Sequence, residues 1–94
     1  SNLFWIKRDS LFTKETGVLP GVTRNTIITH SPYAVKYGGL NVLDFDWLSE
    51  LFFKNSVSGI VPIVKVNNSI IGNGVPGLIT KELMKLYISW AFDI

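Results

Sequence analysis

The sequence predicts one α/β domain, because short strand-like runs alternate with turn residues and an amphipathic helix follows near the end. The runs are rich in β-branched and aromatic residues and are separated by Gly, Pro and Asn, as in strands joined by turns. From Thr80 onward, apolar residues recur at helical spacing. Apolar residues make up 47% of the 94 residues and charged residues 17%. This composition argues against disorder, and it suggests an apolar surface that a partner covers.

Charge and composition exclude several classes of partner. The net charge is +2 and Lys7-Arg8 is the only adjacent basic pair, so we expect no nucleic-acid partner. No apolar run approaches the roughly 18 residues that span a bilayer, so we expect no membrane partner. Without cysteine there is no disulfide framework, and a cytoplasmic location is the default. Because the chain begins at Ser1, we expect a processed product or a piece of a longer protein.

The first half predicts a hairpin followed by short helices. Strands are expected over Asn2–Ile6 and Leu11–Thr13 with a turn at Arg8–Ser10, and Lys14–Gly17 is a predicted loop. A helix from Thr23 should turn Ile27 and Ile28 inward and end near Ser31, before Pro32. The remaining predictions are a helical turn over Ser31–Tyr37, a strand over Asn41–Leu43, and a helical segment over Phe45–Ser49 capped by Asp44.

The second half predicts strands and one clear helix. Leu51–Phe53 is a compact apolar run, Lys54–Ser56 a turn, and Ile60–Val66 a strand in which Pro62 implies an edge or irregular position. Asn67–Ser69 is a turn into Ile70-Ile71, and Gly72–Gly77 is a connector. Thr80 is the predicted cap of the last helix, with Glu82 in its first turn. One helix face is apolar: Leu83, Leu86, Tyr87, Trp90 and Ala91.

Leu19-Pro20-Gly21-Val22-Thr23-Arg24 is the segment with the clearest potential for binding. Pro20 and Gly21 make a rigid turn, and the backbone N–H groups of Val22 and Thr23 would point outward from a helix N-terminus. Such groups bind anions, phosphate among them, and the Thr23 hydroxyl could join them. The simpler interpretation is that Thr23 caps an ordinary helix, and the residues alone leave both open.

No catalytic constellation follows from the other polar residues. His30 is the only histidine, which excludes a histidine-rich metal site and favours a surface or core role. Asp44, Asp46 and Glu50 are explained by helix capping without acid–base chemistry. Lys54, beside a predicted turn, is a poor candidate for a cofactor-binding lysine. Three tryptophans, Trp5, Trp47 and Trp90, are interpreted as core or interface anchors.

The ordered set of motifs resembles the class IV aminotransferase family, which uses pyridoxal 5'-phosphate. The matching blocks are Asn2–Phe4, Leu11–Thr13, Leu19–Arg24, Glu50–Phe52, Asn55-Ser56, Gly59–Ile63 and Ile71–Thr80. They follow the family's order and cover nearly the whole chain, but only the family's C-terminal part. The resemblance implies a mixed sheet or pseudo-barrel with flanking helices, in which residues 1–94 are the cofactor-phosphate-binding portion of a longer enzyme.

The resemblance also implies roles for individual residues. Gly21, Val22 and Thr23 would hold the cofactor phosphate, Leu19 would lie against the pyridine ring, and Ser56 would add a second hydroxyl to the phosphate. The N–H groups around Asn55 and Val57 would bind the carboxylate of a small amino substrate. These roles agree with preorganised donors aimed at anions. They shift the interpretation of Thr23 from a plain cap to a phosphate ligand.

In the family, the catalytic lysine, a phosphate-binding arginine and the glutamate that pairs with the pyridine nitrogen lie upstream of the matched region. The resemblance therefore assigns no catalytic residue to this chain, which alone is expected to be inactive and to need an N-terminal domain and, as in the family, a second copy. Pro32 and the segment Ser31–Gly39 depart from the long helix that the family has after the turn.

The assignment to a subfamily rests mainly on the pair Asn55-Ser56. Followed by Gly59-Ile60-Val61-Pro62, it is similar to aminodeoxychorismate lyase, which converts 4-amino-4-deoxychorismate to 4-aminobenzoate and pyruvate for folate synthesis. Transaminase branches more often have Gly-Thr there, so a branched-chain or D-amino-acid aminotransferase is the alternative. A non-catalytic module that binds an anion or a partner, and an enzyme assembled from separate chains, are hypotheses of another kind.

Overall fold

The computed structural model describes residues 2–14, 27–55 and 58–92. Its strands are β1 (Asn2–Lys7), β2 (Ser10–Thr13), β3 (Val35–Tyr37), β4 (Glu50–Asn55), β5 (Gly59–Pro62), β6 (Lys65–Val66) and β7 (Ser69–Ile70). A 3-10 helix covers Val42–Trp47, and helix α1 covers Leu78–Phe92. Five strands form a sheet of order β3-β2-β1-β4-β5, and β6 pairs with β7. Because only β2 and β3 pair in parallel, the five-stranded sheet is mixed, which confirms the α/β prediction.

Strand β1 lies at the centre of the sheet and fixes the relative positions of its neighbours. The predicted hairpin is confirmed, since β1 pairs antiparallel with β2 around a turn at Arg8 and Asp9. On its other side β1 pairs antiparallel with β4, so that Asn2 is opposite Lys54. The beginning of β1, the end of β2 and the end of β4 therefore lie at one end of the sheet, which we call the convergent end.

Side chains that alternate along the strands fill two separate cores. Phe4, Ile6 and Phe52 pack with Leu83 of α1 on one face. Trp5 and Leu51 pack with Leu48 and Ile71 on the other face. This period of two is what a sheet covered on both sides requires. Helix α1 thus covers one face of the sheet, and residues from the second half of the chain cover the other.

Helix α1 begins at a carboxylate from the sheet rather than at a side chain of its own. The Glu50 carboxylate on β4 accepts hydrogen bonds from the backbone N–H groups of Ile79 (3.2 Å) and Thr80 (2.6 Å). A Cβ on Gly77 would lie 2.1 Å from Cδ of Glu50, so only glycine admits this carboxylate. The prediction that Thr80 caps the helix is wrong, because the helix already includes Thr80 and a long-range contact satisfies its N–H group.

Three predictions between residues 31 and 49 are wrong because tertiary pairing and a stronger cap decide the local structure. Residues 35–37 form β3 instead of a helical turn, since they pair in parallel with β2. Asn41 is not in a strand but caps the 3-10 helix, and its side chain accepts the N–H of Leu43. Asp44 is therefore not the cap but the third residue of a capping box, and this 3-10 helix replaces the helical segment predicted over 45–49.

Around β4 and β5, two boundaries differ from the sequence prediction. Lys54 and Asn55 continue β4 instead of forming a turn. The long strand predicted over Ile60–Val66 divides after Pro62, and Lys65 begins a separate hairpin with β7. The edge position of Pro62 is confirmed, since β5 is the last strand of the sheet. The turn over residues 67–69 and the connector over residues 72–77 also agree with the prediction, although Ser69 already belongs to β7.

The tryptophans divide between core and surface. Trp5 is buried and stacks on Phe12, with 6.0 Å between ring centroids. Trp90 is half-buried against the core on the face of the sheet that α1 covers, which we call the α1 core. Trp47, in contrast, is 72% exposed and is not part of the core, so for this residue the interface alternative stays a prediction. No helix among the described residues has the length and apolar character needed to cross a bilayer.

Candidate functional site

Most of the predicted site lies outside the described residues. Leu19, Gly21, Val22 and Thr23 fall in the range 15–26, and Ser56 and Val57 fall between the described ranges. Asn55 is the one described member of the set. The predicted start of the helix at Thr23 also lies outside the described residues. The roles assigned to these positions stay predictions, and the structure bears on them through the residues on either side.

Residues 15–26 and 56–57, which the structure does not describe, follow strands β2 and β4, and both strands end at the convergent end of the sheet. Thr13, the last residue of β2, is opposite Phe4, and Asn55 ends β4 next to Lys54, which is opposite Asn2. The segment containing Gly21–Thr23 follows β2, and the segment containing Ser56 follows β4. Because β2 and β4 both flank β1, the two strands are only about 10 Å apart. The topology therefore places the ends of the two strands that precede the predicted anion-binding residues at one end of the sheet.

Asn55 organises the connection between β4 and β5. Its side-chain Oδ1 accepts a hydrogen bond from the backbone N–H of Ser58 at 2.5 Å, and Asn55 is paired with Gly59 across the two strands. An asparagine side chain that binds a backbone N–H three residues on closes a turn locally. This structural role is compatible with the predicted role of the backbone N–H groups around Asn55 in binding a carboxylate.

The surroundings of Lys54 differ from those that the sequence predicts. The residue lies on β4, a rigid element, and its side chain is 0% exposed. Its ammonium donates a hydrogen bond to the backbone carbonyl of Asn55 and lies 4.4 Å from the centroid of the Tyr87 ring. The only sequence signal was a lysine at the end of an apolar run. Because the Lys54 side chain has no exposed surface, its ammonium is not accessible to a cofactor in this chain, although it lies on a strand and not in the predicted turn.

The helical turn over residues 27–30 links the segment after the predicted Pro-Gly turn to α1. Ile27 is fully buried in the α1 core, as predicted, and the N–H of Ser31 bonds to the carbonyl of Ile27 at 2.9 Å. His30 stacks on Trp90 with 5.8 Å between ring centroids. This packing supports the structural interpretation of the histidine, and among the described residues no group of three potential metal ligands occurs. The described part of this helix ends before Pro32, as predicted.

Tyr33 adds a polar link between the same two parts of the fold. Its hydroxyl donates a hydrogen bond of 2.5 Å to Oε2 of Glu82 on α1. The bond to Glu82 raises the pKa of Tyr33 above its ordinary value of 10.0, with desolvation and the charges of Glu82 and Glu50 adding to the effect. The neutral phenol is thus favoured in the folded state.

We expect this link to make stability sensitive to high pH. A folded-state pKa above the unfolded value gives stabilisation that is complete below about pH 10 and lost as the pH rises through the folded-state pKa. The free energy of unfolding of the wild type should therefore fall more steeply above about pH 10 than that of Tyr33→Phe, which has no phenol proton to lose. Urea unfolding of both proteins between pH 8 and about pH 11 measures the difference, and parallel curves would contradict it.

Asp44 and Glu50, two acidic residues near the 3-10 helix, contact different helix termini. The Asp44 carboxylate accepts a hydrogen bond from the backbone N–H of Asn41 at 3.3 Å, whereas Glu50 is 8% exposed and bound to α1. Both carboxylates thus serve helix termini, in agreement with the capping interpretation of this cluster. Their separate hydrogen-bond partners argue against acid–base chemistry in which the two act together.

The sequence profile of the family described as Amino-transferase class IV matches residues 1–66. The chain belongs to this family. A branched-chain-amino-acid aminotransferase of Pseudomonas aeruginosa is 36% identical over 93 residues, which are 92% of this chain and 29% of that protein. The structure of the branched-chain aminotransferase of Escherichia coli superposes with a TM-score of 0.82 at 27% identity, covering 94% of this chain and 31% of that one.

A second structural neighbour is an aminotransferase determined with its cofactor. The aminotransferase of Brucella abortus, bound to pyridoxal phosphate, superposes with a TM-score of 0.78 at 28% identity and covers 98% of this chain and 34% of that one. The chain therefore spans about a third of the length of these relatives. The family membership and the mixed α/β fold agree with the resemblance in the sequence, and they place this chain within one part of a class IV fold.

Proposed function

We propose that this chain is the cofactor-phosphate-binding portion of a pyridoxal-phosphate-dependent aminotransferase that acts on branched-chain amino acids. The observation that carries the proposal is the convergence of β1, β2 and β4 at one end of the sheet, where both predicted anion-binding segments begin. The names of the Pseudomonas and Escherichia relatives support the substrate class. They favour an aminotransferase over the lyase that Asn55-Ser56 suggests.

The described residues at the convergent end fit an anionic cofactor. A buried ammonium, that of Lys54, lies beside Asn55, and the described carboxylates that contact helix termini are engaged elsewhere. A positive charge near the end of β4 suits a phosphate or a carboxylate. Pyridoxal phosphate, when bound, supplies the electron sink that makes the α-carbon of an amino acid acidic.

In this proposal the chain binds and orients, while the reacting lysine comes from elsewhere in the protein. The backbone N–H groups of Val22 and Thr23, with the hydroxyls of Thr23 and Ser56, hold the phosphate, and Leu19 lies against the ring. The N–H groups of Asn55 and Val57 orient the substrate carboxylate. Preorganised donors of this kind need no rearrangement on binding, and they fix the distance of the substrate from catalytic groups.

The partners of the chain follow from the same proposal. The upstream lysine, arginine and glutamate of the family belong to an N-terminal domain, and the chain acts in a homodimer in the cytoplasm. The chain covers about a third of its relatives, which is consistent with a large remaining part of the fold. Exposed apolar side chains such as Trp47 and Leu43 are available for contacts with that part.

A lyase activity on 4-amino-4-deoxychorismate is the second candidate, and the side chain of Asn55 favours it. Asparagine followed by serine is the feature that resembles aminodeoxychorismate lyase, and Asn55 closes the β4–β5 connection through its Oδ1. The glycine typical of transaminases cannot form this side-chain hydrogen bond. The shape of this connection can therefore differ from that in a transaminase.

The test is performed on the complete protein that contains this chain, supplied with pyridoxal phosphate. Amino transfer from leucine to 2-oxoglutarate is expected, and it should exceed pyruvate release from 4-amino-4-deoxychorismate under the same conditions. Pyruvate release without amino transfer would favour the lyase instead. The enzymatic proposal fails if the protein shows neither activity and does not bind the cofactor, as judged by absorbance after gel filtration. That result would favour the hypothesis of a non-catalytic module.

A further inference from the structure

A cleft of about 540 Å³ lies at the end of the sheet opposite to the convergent end, and we call it the hairpin cleft. Its lining residues come from the β1–β2 hairpin, the 3-10 helix and the segment that leads into β4: Lys7, Arg8, Asp44, Trp47 and Ser49. Strand β1 has six residues, so roughly 17 Å separate the hairpin cleft from the convergent end. A cavity of this size, lined by one aromatic ring and a few polar groups, is typical of small-molecule sites.

Strand pairing and core packing fix the walls of the hairpin cleft. Side chains alternate along β1, so Lys7 is on the same face as the buried Trp5, which packs against Leu48. The backbone N–H of Ser49 bonds to the carbonyl of Ile6 at 2.8 Å, which ties the segment after the 3-10 helix to the end of β1. A backbone hydrogen bond and a shared core thus join the two walls, as a preorganised site requires.

Arg8 has a backbone conformation that arginine seldom adopts. Arg8 and Asp9 form the two-residue turn between β1 and β2, with φ angles of +52° and +63°. Turns of this kind favour asparagine or glycine, because a Cβ makes positive φ unfavourable. Aspartate is among the residues that tolerate this conformation, whereas arginine is not. The local backbone therefore does not explain the arginine, and such exceptions occur preferentially where a side chain serves a function.

Trp47 supplies the apolar surface of the hairpin cleft. Its indole is 72% exposed, although the next residue, Leu48, is buried in the core. An exposed indole offers a flat face on which a planar ring can stack. Lys7 and Arg8 carry two positive charges and Asp44 one negative charge, so the lining has a net charge of +1. The lining thus complements a small molecule with both a planar ring and an anionic group, since arginine and lysine bind carboxylates and phosphates.

We propose that the hairpin cleft binds a small anion that carries a planar aromatic ring. The ring stacks on the indole of Trp47, and the guanidinium of Arg8 binds the anionic group with the ammonium of Lys7 beside it. The anionic group is a phosphate, as in a nucleotide, or a carboxylate, as in an aromatic acid, because both match a guanidinium. This site is separate from the proposed cofactor site, so the proposed function can fail while this inference stands.

Calorimetric titration of the complete protein that contains this chain measures the affinities for two matched pairs of small molecules. Adenosine monophosphate is compared with adenosine, and indoleacetate with indole, so that the members of each pair differ in the anionic group. In the pair that fits, the anionic member should bind about tenfold more tightly than the neutral one. The pair that shows this difference identifies the anionic group as a phosphate or a carboxylate.

The variant Arg8→Asn separates a binding role from a structural one. Asparagine accepts a positive φ more readily than arginine, so urea unfolding should show unchanged or higher stability. Loss of the guanidinium should nevertheless weaken binding of the anionic molecule about tenfold and leave the neutral molecule unaffected. Lys65→Gln removes an equal charge from an exposed position on β6 and should change neither affinity.

The variant Trp47→Ala tests the stacking contact, and Leu43→Ala is its matched control. Leu43 is 79% exposed on the same 3-10 helix but is not among the residues that line the hairpin cleft. Because both members of a pair contain the ring, Trp47→Ala should weaken the binding of each by about tenfold. Leu43→Ala should weaken the binding of neither.

The inference is wrong if none of the four molecules binds the wild type, or if either Arg8→Asn or Trp47→Ala binds the anionic molecule as tightly as the wild type. It is also wrong if Trp47→Phe leaves the fraction of tryptophan fluorescence that iodide quenches unchanged. That result would show that another part of the complete protein covers Trp47. Amino transfer enters none of these outcomes, so they are distinct from the test of the proposed function.

Discussion

Replacing Phe52 with alanine should lower the free energy of unfolding by about 3–5 kcal/mol, the usual range for a large aromatic residue in a core. Phe52 is fully buried on the α1 face of β4 and stacks on Phe4 of β1, with 5.1 Å between ring centroids and 5° between ring planes. The substitution removes the ring and leaves a cavity between the two central strands and the helix. Domains are typically stable by about 5–15 kcal/mol, so the variant would be near the limit of folding.

Phe53→Ala provides the matched control for Phe52. It makes the same chemical change one residue further along β4, on a half-buried side chain. Equilibrium urea unfolding should show a clearly smaller loss of unfolding free energy for Phe53→Ala than for Phe52→Ala. A double-mutant cycle of Phe4 and Phe52 should give a coupling of about 0.5–1.5 kcal/mol, as expected for a stacked aromatic pair. Equal losses for Phe52→Ala and Phe53→Ala would contradict the assignment of the core face.

Replacing Glu50 with alanine is expected to cost about 2–4 kcal/mol of unfolding free energy. The carboxylate accepts two hydrogen bonds from the first turn of α1, and a hydrogen bond to a charged group contributes about 1.5–3 kcal/mol. The negative charge of the carboxylate also lies at the positive end of the helix dipole, which is a favourable interaction. Because the N–H groups of Ile79 and Thr80 would lose their acceptor in a largely buried place, the loss should appear as fraying of α1 in hydrogen exchange and as lower stability in urea.

The Thr80→Val variant tests whether Glu50 or Thr80, the residue that the sequence predicts, caps α1. The Thr80 hydroxyl is buried and finds no hydrogen-bond partner among the described residues, so its replacement by a methyl group should leave stability unchanged or raise it. If Thr80 were the cap, the same substitution would cost about 1 kcal/mol. A large loss of unfolding free energy in Thr80→Val, with none in Glu50→Ala, would show that Thr80 and not Glu50 caps α1.

The candidate site shows how far local motifs carry a prediction. The motif Leu19–Arg24 and the pair Asn55-Ser56 indicated an anion site and a family from sequence alone, and the family is confirmed. The burial of Lys54 was not predicted, because nothing in the neighbouring residues shows that its side chain is enclosed between β4 and Tyr87. Burial and charge compensation depend on residues far apart in the sequence. A motif therefore names chemical groups, whereas the fold decides which other groups surround them.

By itself, the sequence determined the class of the fold, the β1–β2 hairpin, the restricted position of Pro62 and the presence of the amphipathic helix. These features depend on side-chain periodicity and on residues that restrict their own backbone, which act over a few positions. The tertiary structure alone decided that residues 35–37 form a strand and that Glu50 begins α1. Their hydrogen-bond partners lie more than 20 residues away, so the competing local preferences in the sequence could not reveal the outcome.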